Sequence, residues 1–198
     1  MVVTYTNRKN RTYHLFRTKT KLGKSRYFFA ESSSKGTPCD QIPEGFEISE
    51  SVNGNVSLIK SRPRQIHQRE QMLVEALVAR HPEAHRYRVF TRLKTIEVYE
   101  MVGPSADEIL GMFAKAGITN LVPNAREELD SLRAKQARFS SVLRFILQDK
   151  SERTFIAERM SYLSGKDDWI MIGLIMKLEE LATDLIPLLG TDEFFEYV

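Results

Sequence analysis

His81 and His85 stand four residues apart with Glu83 between them, in the run HPEAH, a spacing with which a helix can hold a metal ion. That chemistry needs both imidazoles on one face of an unbroken helix, and Pro82 cannot continue one. The stretch therefore reads as a helix C-terminus with imidazoles near its free carbonyls, and no metal ligand is assigned. Cys39, the single cysteine, lies in the polar run SSSKGTPCDQ without a neighbouring histidine, so it reads as a surface thiol rather than a nucleophile. Asp167 and Asp168 precede Trp169 in SGKDDW, where a helix start would attract acids through its dipole alone. Asp149, Glu152 and Glu158 read as the charged ends of a hairpin. No glycine-rich phosphate loop occurs in the chain. No catalytic residue and no cofactor is therefore expected, and an enzyme would have to assemble its site from residues distant in sequence.

The strongest chemical pattern is electrostatic. RTKTKLGKSRYFF, Arg17 to Phe29, leads five cations into three consecutive aromatics with no acid between. Cations displace counterions from phosphates, and flat aromatic faces stack on the bases of a single strand. Arg17, Lys19, Lys21, Lys24 and Arg26 supply the first property, with Arg8, Lys9 and Arg11 as an arm. Phe16 and Phe28 supply the second, on the hairpin face opposite Tyr13, Leu15, Tyr27 and Phe29. The balance along the chain supports a charged surface: 12 basic against five acidic residues over 1–64, or +7, and 11 against 16 over 102–198, or −5. Such a molecule would hold a polyanion at one end and repel it from the other, although the two signs would equally attract each other within the molecule or between protomers.

The elements that must carry these residues follow from periodicity. Thr12 to Thr18 and Arg26 to Glu31 alternate as strands around a turn containing Gly23. Asn53 and Gly54 mark a second hairpin; a three-residue loop with Gly54 left-handed, the preferred reading, would set Ile48 opposite Leu58, whereas a two-residue turn would pair Ile48 with Ile59. Arg62 to Gln65 is the expected joint to a helix carrying Ile66, Leu73, Val74, Leu77 and Val78. Tyr87 to Arg92 and Ile96 to Met101 read as a hairpin, and Ser105 with Glu108 as the start of a helix that Gly117 ends. Asn124 with Glu127 repeats that cap. Strands at Ser140 to Gln148 and Thr154 to Tyr162 follow, then an apolar helix from about Ile172 to Leu189, and a short one opened by Thr191 that buries Phe194 and Phe195. The expected fold class is α+β: a small N-terminal antiparallel β-module of two hairpins over 1–64, then an α+β domain over 65–198. That domain reads as two helix–hairpin–helix halves, 65–117 and 118–198.

IPEGFEISESVNG, Ile42 to Gly54, resembles the opening of a WW domain in its Pro, Gly, aromatic and Glu order. Phe46 stands where that family has its first Trp, and the second Trp, third strand and closing Pro have no counterpart, so proline-peptide recognition is not carried over. TYHLFRTKTKLGKSRYFF and IPEGFEISESVNGNVSLIKSRP are similar to segments of uncharacterised bacterial proteins with no assigned activity. Three functions remain open. The first is a non-enzymatic protein binding DNA or RNA through the basic module. The second is an adaptor offering its Leu174–Leu189 helix to a protein partner or second protomer. The third is an enzyme with a dispersed site. The longest apolar run, Trp169 to Met176, is too short to cross a bilayer, which needs about 20 residues. With one cysteine and a polar start, a cytoplasmic location and no membrane partner are expected.

Overall fold

Three hairpin loops in the N-terminal part share one construction. Arg8–Lys9–Asn10, Lys21–Leu22–Gly23 and Val52–Asn53–Gly54 each end on a left-handed residue, with φ of 60°, 76° and 80°. Asn and Gly are the residues that tolerate this conformation, and in each loop that residue's N–H donates back across the turn, 2.9 Å to Asn7, Thr20 or Ser51. The computed structural model describes residues 1–32, 35–118, 124–163 and 166–196. Strand β1 (Thr4–Thr6) pairs with β2 (Thr12–Lys19), which pairs with β3 (Ser25–Ala30), all antiparallel. The short β4 (Thr37–Pro38) continues the edge of β2 beyond β1. A separate hairpin joins β5 (Phe46–Glu50) to β6 (Val56–Lys60), and Ile48 faces Leu58 as the three-residue loop requires. The two sheets meet through Tyr27 and Phe46, whose rings lie 6.4 Å apart, and Leu15 is wholly buried.

The rest of the chain is built on one antiparallel sheet of five strands in the order β11-β10-β9-β8-β7: β7 (Tyr87–Thr91), β8 (Thr95–Met101), β9 (Phe139–Asp149), β10 (Thr154–Leu163) and β11 (Lys166–Lys177). Helix α1 (Gln68–Arg80) covers one face with Val74 and Val78, joined by α4 (Leu178–Leu185) with Leu181, Ala182 and Leu185. Against them lie Tyr87, Val98, Phe145, Phe155 and Ile172. Helix α2 (Ala106–Lys115) starts on the reciprocal Ser105–Glu108 cap that the sequence predicts. Helix α3 (Ala125–Gln136) does not use its cap: the Asn124 side chain makes no capping bond. In the last helix, α5 (Asp192–Glu196), Phe194 is buried while Phe195 is 52% exposed.

The expectation of an α+β domain made of helix–hairpin–helix units is overturned. The molecule is largely β, with 39% strand against 29% helix, sheets of four, two and five strands, and five short helices among the described residues. The two hairpins at Tyr87–Met101 and Phe139–Leu163 are not separate units, because β8 pairs with β9 and closes them into one sheet. The decisive misreading is the apolar run after Trp169. It is not the first half of a Leu174–Leu189 helix but strand β11, and helix begins only at Leu178. Apolar runs of this length satisfy either period, and here the free edge of β10 supplies hydrogen bonds along the run. Gly173, left-handed at φ 74°, marks the irregularity where pairing with β10 shifts. Among the described residues, no helix is long and apolar enough to cross a membrane.

The two parts meet through backbone-directed contacts. Asn53 acts like one residue of an extra strand on the free start of β9: its Nδ2 donates to Phe139 O at 3.0 Å, and its Oδ1 accepts from Phe139 N at 2.8 Å. Lys9 Nζ donates to Ala137 O at 3.2 Å. The opposite net charges of the two parts do not meet in these contacts. Arg8–Glu50 and Arg11–Glu31 close within the first part. Glu70–Arg153, Arg86–Glu100, Arg92–Glu97 and Arg144–Glu158 close within the second.

Candidate nucleic-acid interface

Strands β2 and β3 project the loop Lys21–Leu22–Gly23, closed by Thr20 N to Lys24 O at 2.8 Å and by Lys24 N to Thr20 Oγ1 at 3.2 Å. The threonine side chain thus completes the turn, and the loop side chains are left for solvent. Arg17, Lys19, Lys21, Lys24 and Arg26 are all exposed, and none has an ion pair or side-chain hydrogen bond among the described residues. The register sets Arg17 across from Tyr27, Thr18 from Arg26 and Lys19 from Ser25. Arg17, Lys19 and Tyr27 therefore share one face, while Arg26 stands on the other. Cations flank both sides of the tip.

The remaining residues read from the sequence as part of this surface either lie at the far end of β2 or are covered. Arg8, Lys9 and Arg11 belong to the β1–β2 loop, at the opposite end of β2, about 25 Å away for eight extended residues. They are not a free arm. Arg8 donates through Nε to Glu50 Oε1 at 2.8 Å and through Nη2 to Ser51 O. Asn7 organises the loop, its Oδ1 accepting from the N–H groups of Lys9 and Arg11 at 3.0 Å and its Nδ2 donating to Gly54 O at 2.7 Å. Arg11 reaches Glu31 at 3.7 Å, with both side chains mostly in solvent. Phe16 is 7% exposed and stacks on Phe28, centroids 5.7 Å apart, while Gly36 lies so close that a Cβ there would sit 2.9 Å from Phe16 Cβ. Both faces of β2 are thus covered near its middle, and Phe28 is half-buried.

Sequence reasoning passed over Tyr27 and a second group of cations. Tyr27 is half-buried beside Arg17, above a groove of about 270 Å³ that Pro38, Asp40 and Glu44 also line. Beyond its ring contact Phe46 pairs across strands with Lys60, and Lys60, Arg62 and Arg64 have no partner among the described residues. These three cations edge a cleft of about 630 Å³ between β6 and the end of β7. Parity and the RPR sequence were the available signals for them. The proximity of Tyr27 to Phe46 was not legible, because it depends on how the two sheets stack.

Six arginines of the second part pair with carboxylates: Arg86, Arg92, Arg126, Arg133, Arg144 and Arg153. Arg92 reaches Glu97 Oε1 at 2.9 Å, and Arg144 pairs with Glu158 and lies 4.0 Å from the centre of the Trp169 ring. Burial raises the hydroxyl of Tyr99, as does its hydrogen bond to Glu97, so it stays a protonated donor in this cluster. His81 caps α1; its Nε2 donates to Leu189 O at 3.1 Å and its Nδ1 accepts from Glu83 N at 3.1 Å, which occupies both ring nitrogens. Cys39 is a free, half-buried thiol whose backbone bridges Val3 and Leu15. Asp149 holds its turn through the N–H groups of Ser151 and Glu152, which keep its carboxyl below the usual range. Asp168 lies in β11 rather than at a helix start, and the side chain of Asp167 lies outside the described residues. Among the described residues no three His, Cys, Asp or Glu side chains cluster as a metal site. No family model matches this chain, and neither a curated protein nor a solved structure matches it.

Proposed function

We propose that this protein is a non-enzymatic nucleic-acid-binding protein whose contact surface is the β2–β3 hairpin. One observation carries the reading: Arg17, Lys19, Lys21, Lys24 and Arg26 are exposed and unpaired among the described residues, whereas Arg8 and Arg11 of the same basic segment face carboxylates. Unpaired cations on a projecting tip keep their full charge for phosphates and release counterions when they engage them. Tyr27, half-buried beside Arg17, is an aromatic group of this surface on which a base would stack. The test is fluorescence anisotropy of labelled single- and double-stranded oligonucleotides with the wild type and with the R17E/K19E/K21E/K24E/R26E variant, each first shown to be folded. Five phosphate contacts to a single strand would give a slope of log affinity against log salt of about −3.5. Binding with that salt dependence, lost in the variant, supports the reading. Absence of binding at low salt, or equal binding by the variant, refutes it.

A second reading, contact with another copy of this chain, is favoured by the free edge of β11, where Met171, Leu174 and Ile175 are 60%, 76% and 63% exposed. Sedimentation over a range of concentrations separates the two.

A further inference from the structure

The β1–β2 loop, the start of β9 and strand β7 enclose a cleft of about 560 Å³ at the joint between the two parts. Arg8, Lys9 and Arg88 line it together with Val52, Ser131 and Phe139, and no carboxylate is among its described lining residues. Two of the three cations are positioned without being neutralised. Lys9 Nζ donates to the Ala137 carbonyl at 3.2 Å. Arg88 Nη1 donates to the carbonyls of His85 at 3.1 Å and Tyr87 at 2.6 Å, and its guanidinium lies 5.3 Å from the centre of the Phe139 ring. Carbonyls and ring faces hold a cation in place but leave its charge whole. Only Arg8 has a carboxylate partner, Glu50. The loop that carries Arg8 and Lys9 is rigidly formed, with Asn10 left-handed at φ 60° and Asn7 bonded to the N–H groups around it.

We propose that this joint cleft is a binding site for a small organic phosphate of about nucleotide size. The two uncompensated cations, Lys9 and Arg88, match the charge of a phosphate monoester dianion, and Arg8 stands beside them already paired with Glu50. Phe139 provides apolar surface for the organic part, and the volume falls within the range of small-molecule sites, roughly 300–1,000 Å³. The site is independent of the hairpin surface: it is concave, it lies at the other end of β2, and it shares none of the five tip cations. A ligand there bridges Arg8 and Lys9 of the first part to Arg88 of the second, so its binding tightens the docking of the two.

Isothermal titration at low salt with AMP and adenosine tests this. AMP binds the wild type and the five-charge tip variant equally, adenosine fails to bind, and Arg88→Ala weakens AMP about tenfold or more, the loss expected for one charge-assisted hydrogen bond. Lys9→Ala provides the same test should Arg88→Ala not fold. The proposal is overturned if AMP gives no saturable binding, if adenosine binds as tightly, if both cleft variants bind AMP like wild type, or if the tip variant loses it. Failure of oligonucleotide binding alone would overturn the hairpin reading and leave the cleft standing.

Discussion

Replacing Arg153 by Ala should destabilise the protein by about 3 kcal/mol at neutral pH, the low end of the cost of orphaning one member of a buried ion pair. Arg153 sits in the β9–β10 turn and reaches back 83 residues: its Nε donates to Glu70 Oε1 at 2.9 Å, its Nη2 to Glu70 Oε2, and Nη2 also to Gln65 O at 3.1 Å. The two side chains are 15% and 9% exposed, so solvent replaces the lost partner only in part. Glu70 keeps one donor, since His67 N–H reaches its Oε2 at 2.7 Å as part of the α1 cap, which places the cost at the low end. A second substitution separates pair from backbone. Arg153 is left-handed at φ 52°, a strain of about 1 kcal/mol that glycine relieves, so Arg153→Gly should cost about 2 kcal/mol.

The pH dependence follows from the same contacts. Burial pushes the Glu70 carboxyl up, but the hydrogen bond from Arg153, the His67 N–H and the Arg153 charge outweigh it and hold the group below its ordinary value. A carboxyl lowered in the folded state contributes stability above its unfolded value, about 4.3, and loses it as pH falls through the folded value. Without Arg153 only the His67 N–H and the His67 charge still oppose burial, so the carboxyl rises from its wild-type position and the variant's deficit at neutral pH shrinks on acidification. Urea unfolding of wild type, Arg153→Ala and R153A/E70Q from pH 7 to pH 4 reads all of this. The gap between wild type and Arg153→Ala should narrow as pH falls, and E70Q should restore part of the loss at pH 7. A gap below about 1 kcal/mol, within the range of an exposed pair, or one unchanged with pH, would refute the buried-pair reasoning.

Three further substitutions probe the frame of the fold. Asn53→Ala removes both hydrogen bonds to Phe139 and should cost about 2 kcal/mol at roughly 1 kcal/mol each; hydrogen exchange should show the Phe139 amide losing protection while α1 amides keep theirs, and unchanged protection would mean the docking lies elsewhere. Gly190→Ala should cost about 2–4 kcal/mol, because φ is 78° and the new Cβ would sit 2.9 Å from the Tyr87 hydroxyl. That hydroxyl is buried without a partner among the described residues, and burial pushes its ionisation upward, so Tyr87→Phe should be nearly neutral and should rescue part of the Gly190→Ala loss in thermal melts; additive losses would show that the clash is not the cause.

Features legible in the sequence were those set within a few residues of chain. Asn53 and Gly54 marked the hairpin and favoured the three-residue loop, with Ile48 opposite Leu58, over a two-residue turn that would set Ile48 opposite Ile59, and the left-handed Gly54 makes it the first. Ser105 and Glu108 marked the start of α2 through two bonds that both lie inside one turn. The exposure of the five tip cations follows equally from local rules, since a tight loop ends in solvent. The capping residue Asn124 shows the limit of such signals, being of the right type but unused.

What the tertiary structure decided depends on partners far away along the chain. Arg8 became an anchor because Glu50, 42 residues on, folds beside it, and Phe16 became core because Gly36 and Pro38 close over its face of β2. The run Trp169–Met176 became strand because β10 offered it an edge, although its apolar composition suits a helix as well. The cleft at the joint exists only where the β1–β2 loop meets β7 and β9. Hydrogen bonds that close within one turn are specified by the residues of that turn, whereas strand pairing, burial and charge compensation are set by whichever surface the rest of the chain brings alongside.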